Sequence, residues 1–275
     1  MQKQIEKFKM YLMTEEKSEA TVEKYVRDVT AFLSYCGEQT ISKQLVIDYK
    51  QKLISNGYAV RSINSMLASL NSFFDFSEHS DCKVKSLKLQ KEIYRPEEKE
   101  LSKAEYDRLC KAAEKKRNER LSLLIQTICG TGIRVSELPF ITVEAAESGE
   151  AVVSCKGKTR TVFLVKALRK KLLRYAAAHG IKSGSIFITK NGAPMNRTNI
   201  WREMKKLCAA AEVNPPKVFP HNLRHLFARV FYGLEKDIAK LADILGHSSI
   251  NTTRIYIIST GNEHRCRMEN MHLIL

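Results

Sequence analysis

Residues 1–77 carry apolar positions three and four apart, broken by short polar runs, and this period predicts four amphipathic helices. The clearest is SEATVEKYVRDVTAFLSYCG, which puts Val22, Tyr25, Val29, Phe32 and Leu33 on one stripe. Ser18 is placed to cap its start and Gly37 to end it. The fourth, VRSINSMLASLNSFFDF, repeats the pattern with Ile63, Met66, Leu67, Leu70, Phe73 and Phe74. The aromatic residues Tyr25, Phe32, Phe73 and Phe74 keep the helical period, which makes them core rather than stacking platforms for bases. From residue 78 to 99 the chain turns polar and lysine-rich, with Arg95-Pro96 near the end, and reads as a linker.

A new helix starts at Ser102 in LSKAEYDRLCKAAEKK, and a long apolar one runs through LSLLIQTICGTG. The period then shortens to two. AVVSCKGKTRTVFLV alternates β-branched residues on both sides of a basic turn, the signature of a hairpin, and SIFITKNGAP adds a third strand and a turn. Helices resume at Thr198. The expected fold is mainly α: a small helical domain over 1–80, a linker over 81–99, a mainly helical domain with a small three-stranded sheet over 100–260, and a short amphipathic tail over 261–275 carrying Met268, Met271, Ile274 and Leu275.

Composition narrows the class. No run of about 18 apolar residues could span a bilayer, and the charged N-terminus MQKQIEKFKMYLMTEEK is unlike a signal peptide. The seven cysteines are scattered without a CxxC pair, which argues against a disulfide framework or a zinc ribbon and for a reducing cytoplasm. The net charge of +16 is uneven: residues 1–95 carry +3 and residues 96–275 carry +13. Such a field favours a polyanion, either nucleic acid or an acidic membrane surface, although a basic solvated face would give the same total.

Five places hold candidate chemistry. GTGIRVSEL sets Arg134 just past a Gly-x-Gly break, with Glu137 placed to hold it from behind; SCKGKTRTV puts Lys156 at the hairpin tip with Lys158 and Arg160 beside it. PHNLRHLF places His221 and Arg224 on one helical face. ILGHSSINTTRIYI presents His247 at a helix boundary and Tyr256 nine residues later. His221 and His225 are four apart, but the glutamate of HExxH is missing and Arg224 would set a fixed cation beside any ion, so no metal site is expected. Guanidinium forks grip phosphate oxygens and counter the charge of a pentavalent transition state. A tyrosine can attack phosphorus, but a free phenol titrates near 10 and needs a positive site and a proton acceptor, a role that suits histidine. A lysine on a hairpin can protonate the leaving alkoxide.

In this order and at these spacings the five motifs resemble those of the tyrosine recombinase (phage integrase) family, and the resemblance spans nearly the whole chain. It implies a SAM-like core-binding domain and a catalytic domain of the DNA breaking-rejoining fold, which together clamp DNA. Arg134 and Arg224 would be the phosphate clamp, Lys156 the general acid for the 5′ oxygen, His221 an acid/base residue, His247 a positioner of phosphate or tyrosine, and Tyr256 the nucleophile. Glu137 falls on the acidic position behind the first arginine. Lys158 and Arg160 would touch phosphates, with Arg61 and Asn64 as contacts from the fourth helix. That helix carries Ser65 and Asn71 where relatives often have basic residues, and Cys155 and Phe163 stand where glycine and proline are frequent.

The implied activity is metal- and cofactor-independent cleavage and rejoining of DNA through a 3′-phosphotyrosyl link. The two-domain plan lacks an arm-binding domain and leans toward inversion or dimer resolution at short inverted core sites, with integration or excision close behind. The implied partners are double-stranded DNA, a homotetramer on two sites with the tail docking on the neighbouring protomer, and an accessory DNA-bending or directionality factor; no membrane is involved. The expected location is the cytoplasm, as a bacterial or phage-encoded protein associated with the nucleoid. Two rivals remain at this stage, a catalytically silent DNA-binding regulator and a topoisomerase IB-like relaxing enzyme.

Overall fold

The computed structural model describes residues 2–89, 97–155, 158–257, 265–266 and 268–271. The chain falls into two compact units, Met1–Lys91 and Glu92–Leu275. The first is built from α1 (Gln2–Thr14), α2 (Glu19–Cys36), α3 (Lys43–Ser55) and α4 (Val60–Phe76). Their stripes meet in a core where Phe8, Val29, Phe32, Leu67, Leu70, Phe73 and Phe74 are fully buried, with Tyr25 and Met66 packed at its margin. Phe8 meets Phe73 edge-on at 5.2 Å between ring centroids, and Phe32 meets Phe74 at 5.7 Å, the geometry the ring quadrupole favours.

Gly37 ends α2 with a positive φ of 60° and returns its N–H to the Leu33 carbonyl. Ser18 stands at the cap position, yet its hydroxyl bonds the Thr21 hydroxyl at 2.8 Å instead of a backbone N–H. Lys24 fastens α2 to α4 by donating to Asp28 (2.6 Å), the Ser65 carbonyl (2.7 Å) and Ser69 (2.9 Å). The contact at Ser65 is to the main chain, and its side chain is exposed.

The second unit holds α5 (Lys103–Lys115), α6 (Glu119–Thr131), α7 (Val143–Ser148), the strands β1 (Glu150–Cys155) and β2 (Lys158–Phe163), then α8 (Lys166–Ala178), α9 (Arg197–Lys205), α10 (Cys208–Ala211), α11 (Pro220–Glu235), α12 (Ile238–Leu245) and α13 (Ile250–Ile257). Ser102 starts α5 with a reciprocal cap: its hydroxyl accepts from the Glu105 N–H while Glu105 accepts from the Ser102 N–H. α6 is buried on nearly every side, which explains its continuous apolar run. β1 and β2 pair antiparallel, Ala151 opposite Val162 and Val153 opposite Arg160. Ala151, Val153 and Val162 face the core; Val152 and Phe163 face out.

The mainly helical class is as expected, but the third strand is not. Among the described residues the sheet has two strands, and the stretch around SIFITKNGAP makes only the isolated bridges Thr142–Ser185 and Ile188–Pro194. Ile186 and Phe187 are adjacent and both buried, which one face of a pleated strand does not allow. The backbone instead bonds to Ile141 and folds back on itself through Thr189 N–H to the Ala193 carbonyl at 2.7 Å. No helix among the described residues is long and apolar enough to cross a membrane.

Two asparagines on α4 clip the segment that follows it. Asn64 donates to the Leu87 carbonyl at 2.9 Å and accepts from the Leu87 N–H at 2.7 Å; Asn71 does the same with Val84 at 3.1 and 3.2 Å. Asn64, a candidate DNA contact by sequence, has its whole carboxamide engaged in this way, whereas Arg61 is exposed. Asn64→Ala should cost about 1–3 kcal/mol by leaving a backbone pair unsatisfied and speed amide exchange at Leu87. Unchanged exchange there would mean that the clip does not hold the segment.

Candidate active site

Three arginines define the site, and each is held by main-chain oxygen at the end of a helix. Arg224 on α11 donates Nη1 to the Gly132 carbonyl, just past the end of α6, and Nη2 to the Leu245 carbonyl at 2.7 Å, in the last turn of α12. Arg134 donates Nη2 to the Gly246 carbonyl at 3.1 Å, and Arg160 on β2 donates Nη1 to the Ile244 carbonyl at 3.0 Å. Helix C-termini leave carbonyls unpaired and carry partial negative charge, so a guanidinium satisfies both conditions at once.

Glu137 completes the frame. It lies in the short 3₁₀ turn Val135–Phe140 and accepts from the Arg134 backbone N–H (2.9 Å), Arg134 Nη1 (2.9 Å) and Arg160 Nη2 (2.6 Å). Burial raises its carboxyl pKa, but the Arg134 N–H and the two guanidiniums outweigh that and hold it below the usual range.

Two glycines permit this approach. Gly132 and Gly246 cap α6 and α12 in the left-handed conformation, with φ of 64° and 63°. A Cβ on Gly132 would stand 2.4 Å from the Phe227 ring, and one on Gly246 would stand 2.4 Å from Arg160 Cδ. Both the backbone conformation and the space therefore require glycine.

Arg134, Thr159, Arg160, Asp243, His247 and Ser248 are among the residues lining a cleft of about 580 Å³. Three guanidiniums against Glu137 and the rim carboxylate Asp243 leave this region positive. Behind it Arg224 is 1% exposed; burial first, then repulsion from Arg134, lowers its pKa to about 10, so it remains cationic at neutral pH. Arg224 Nη2 lies 3.0 Å from His247 Nε2, and His247 Nδ1 lies 2.8 Å from the Thr253 hydroxyl. Burial, followed by the charges of Arg224, Arg134 and Arg160, pushes the His247 imidazole down to about 4.

Tyr256, on α13, is buried among histidines. Its ring stacks on His225 at 4.1 Å between centroids and lies 5.5 Å from His221 and 5.3 Å from His247, and the phenol is near enough to Arg224 to favour its charged form. The structure thus brings together Arg134, Glu137, His221, Arg224, His247 and Tyr256 from positions over 120 residues apart in sequence. Lys156 lies outside the described residues, as does the side chain of Lys158.

Arg160, expected as a phosphate contact, is a strut between β2, Glu137 and α12. His225 packs against the ring of Tyr256. Thr253 was missed. Its only sequence signal is its place six residues past His247 and three before Tyr256, on the face turned inward.

Residues 99–263 match the phage integrase family and residues 5–80 match the phage integrase N-terminal SAM-like domain. Fold and family together define a site-specific tyrosine recombinase, an enzyme of DNA strand exchange. Over 281 residues the chain is 29% identical to the tyrosine recombinase XerA of Pyrococcus furiosus, covering 98% of this chain and 94% of that one. Its fold is shared with XerH recombinase bound to its difH substrate before cleavage (TM-score 0.69, 19% identity, 92% of this chain and 91% of that one). It is shared also with a lambda integrase tetramer on a Holliday junction (TM-score 0.74, 17% identity, 93% and 76%). The chain belongs to the phage integrase family.

Acid should weaken this frame. His247 binds its proton near 4 in the folded state and near 6.5 when unfolded, so between those values the unfolded chain holds more protons. Its contribution is complete above about pH 6.5 and is lost as the pH falls toward 4. The lowered Glu137 carboxyl acts in the same sense at lower pH, contributing above its unfolded value and losing that contribution as the pH falls through the folded one. The urea midpoint should therefore fall between pH 7 and pH 5, and fall less in His247→Gln; equal falls would refute the assignment. Glu137→Gln should cost about 1.5–3 kcal/mol at pH 7, because two half-buried guanidiniums lose a charged acceptor. A loss under 1 kcal/mol in urea titration would show that the carbonyls alone hold them.

Proposed function

We propose that Tyr256 attacks the scissile phosphate of a DNA strand, with Arg134 and Arg224 gripping its non-bridging oxygens. The bond from the tyrosine oxygen to phosphorus forms as the bond to the 5′ oxygen breaks, giving a 3′-phosphotyrosyl link. His221 takes the phenolic proton and Lys156 supplies a proton to the departing 5′ oxygen. The freed 5′ hydroxyl then attacks the phosphotyrosine on a partner strand, and the same two residues return the protons. The energy of the phosphodiester is conserved, so no nucleotide is consumed.

The observation that carries this reading is the packing of the Tyr256 side chain against Arg224 and the rings of His221, His225 and His247. His247 is neutral at pH 7 and orients its neighbours rather than donating charge. Guanidiniums, not an ion, offset the phosphate charge in this scheme.

The helical domain over 1–80 is proposed to grip core DNA, with Arg61 on α4 as a contact, while the domain over 100–260 cuts, with Lys158 touching phosphate. The substrate would be a pair of short inverted core sites bound by four protomers. Two comparisons support that plan, the XerH–difH complex and the lambda integrase tetramer on a Holliday junction. The tail over 261–275 would dock on the neighbouring protomer; within it Met268 and Met271 are exposed. An accessory DNA-bending or directionality factor would bias the reaction, which takes place on DNA in the cytoplasm.

Covalent trapping tests the chemistry. Fragments from around the protein's own locus, nicked so that the 5′ end escapes, should yield a denaturation-resistant protein–DNA adduct. Tyr256→Phe should abolish it, and Arg224→Ala should slow its formation about 10²–10³-fold. An adduct that survives in Tyr256→Phe gives the attack to another residue. Tight binding with no adduct from the wild type would identify a DNA-binding regulator, and relaxation of one plasmid without paired sites would identify a topoisomerase.

A further inference from the structure

His247 sits between two partners of opposite demands. On one side Arg224 Nη2 approaches His247 Nε2 at 3.0 Å. A guanidinium has only donors, so Nε2 must offer its lone pair and cannot carry the proton. A neutral ring then bears its proton on Nδ1, and Nδ1 faces the Thr253 hydroxyl at 2.8 Å. Thr253 is fully buried, so water does not compete for that bond, and the hydroxyl oxygen has lone pairs with which to accept. The alternative tautomer would set an Nε2–H against a guanidinium N–H, a clash that the threonine hydroxyl, able to donate to a bare Nδ1, would not relieve.

Thr253 also belongs to α13, three residues and so nearly one turn before Tyr256. The chain of contacts therefore runs from Arg224 through the imidazole and the threonine hydroxyl to the helix of the tyrosine. His247 is attached at the other end to α12, through its backbone N–H to the Ala242 carbonyl at 2.9 Å. Nothing else among the described hydrogen bonds joins the His247 ring to α13.

We infer that Thr253 is a positioning residue: it accepts the Nδ1 proton of the tautomer that Arg224 imposes, fixes the plane of the His247 ring and so sets the helix of Tyr256 in register with Arg224. Its effect on cleavage rests on the reading of Tyr256 as nucleophile, whereas its effect on the ring does not. With the proton held on Nδ1, Nε2 is the nitrogen presented to the arginine that would grip phosphate. Valine has the shape of threonine but no acceptor; serine keeps the acceptor and loses the methyl.

The test uses the full chain with ¹⁵N-labelled histidine at pH 7. In the wild type the His247 ring should show a protonated Nδ1 and an unprotonated Nε2, and Thr253→Ser should preserve that pattern. Thr253→Val should keep the tautomer that Arg224 imposes, move the Nδ1 resonance away from its hydrogen-bonded position and slow covalent trapping on nicked DNA by about tenfold, the worth of one hydrogen bond, while Thr253→Ser leaves that resonance in place and stays within about twofold of wild type. A wild-type ring protonated on Nε2 would overturn the inference without any variant. So would a Thr253→Val protein whose Nδ1 resonance does not move, whether or not it cleaves, since any lost cleavage would then come from helix packing. If the wild type forms no adduct at all, the nucleophile reading falls, and the Nδ1 resonance still decides what Thr253 does.

Discussion

Everything at the site depends on the attachment of cationic side chains to carbonyl groups that two helices leave unpaired at their ends. α6 and α12 terminate beside one another, each in a left-handed glycine, and their last carbonyls face Arg134, Arg160 and Arg224. Bringing three guanidiniums together in a partly dry space is unfavourable by Coulomb repulsion. Helix-end carbonyls and one buried carboxylate offset that repulsion without filling the cleft with counter-charge. Under the proposed mechanism an incoming phosphodiester would meet fixed, prearranged cations, the condition under which electrostatic stabilisation of a transition state is most effective.

The same arrangement governs the histidines and the tyrosine. Burial, reinforced by the field of the anchored arginines, keeps His247 neutral. Burial of the Tyr256 ring against His225 confines the phenol to one region, near Arg224. β2 is drawn into this frame by Arg160, which ties the middle of the strand to Glu137 and α12. A substitution at Glu137, Gly132 or Gly246 would act on the chemistry without touching DNA.

In the first unit, the hydrogen-bonding capacity of α4 is used largely within the unit. Asn64 and Asn71 clip the following segment, while Ser65 and Ser69 receive Lys24. The paired bonds of Asn71 account for an amide at that position; nothing in the structure explains serine at 65.

The sequence by itself determined the helices, the hairpin and the identity of most of the site. Helical periodicity and caps are local, so the stripes of α2 and α4, the Ser102 cap and the Gly37 stop could be read directly. Arg134 with Glu137, and His221 with Arg224, are neighbours within a turn and were equally visible. The partners of Arg160 were not: one lies 23 residues away and the other 84, so its basic turn suggested an open phosphate contact. Thr253 carried no periodic or charge signal that distinguished it from Thr252. The third strand failed for a related reason, since whether SIFITK joins a ladder depends on which edge the rest of the domain presents to it. Tertiary structure alone decided which polar atoms meet, because a hydrogen bond is set by positions in space and direction, while sequence records only order along the chain.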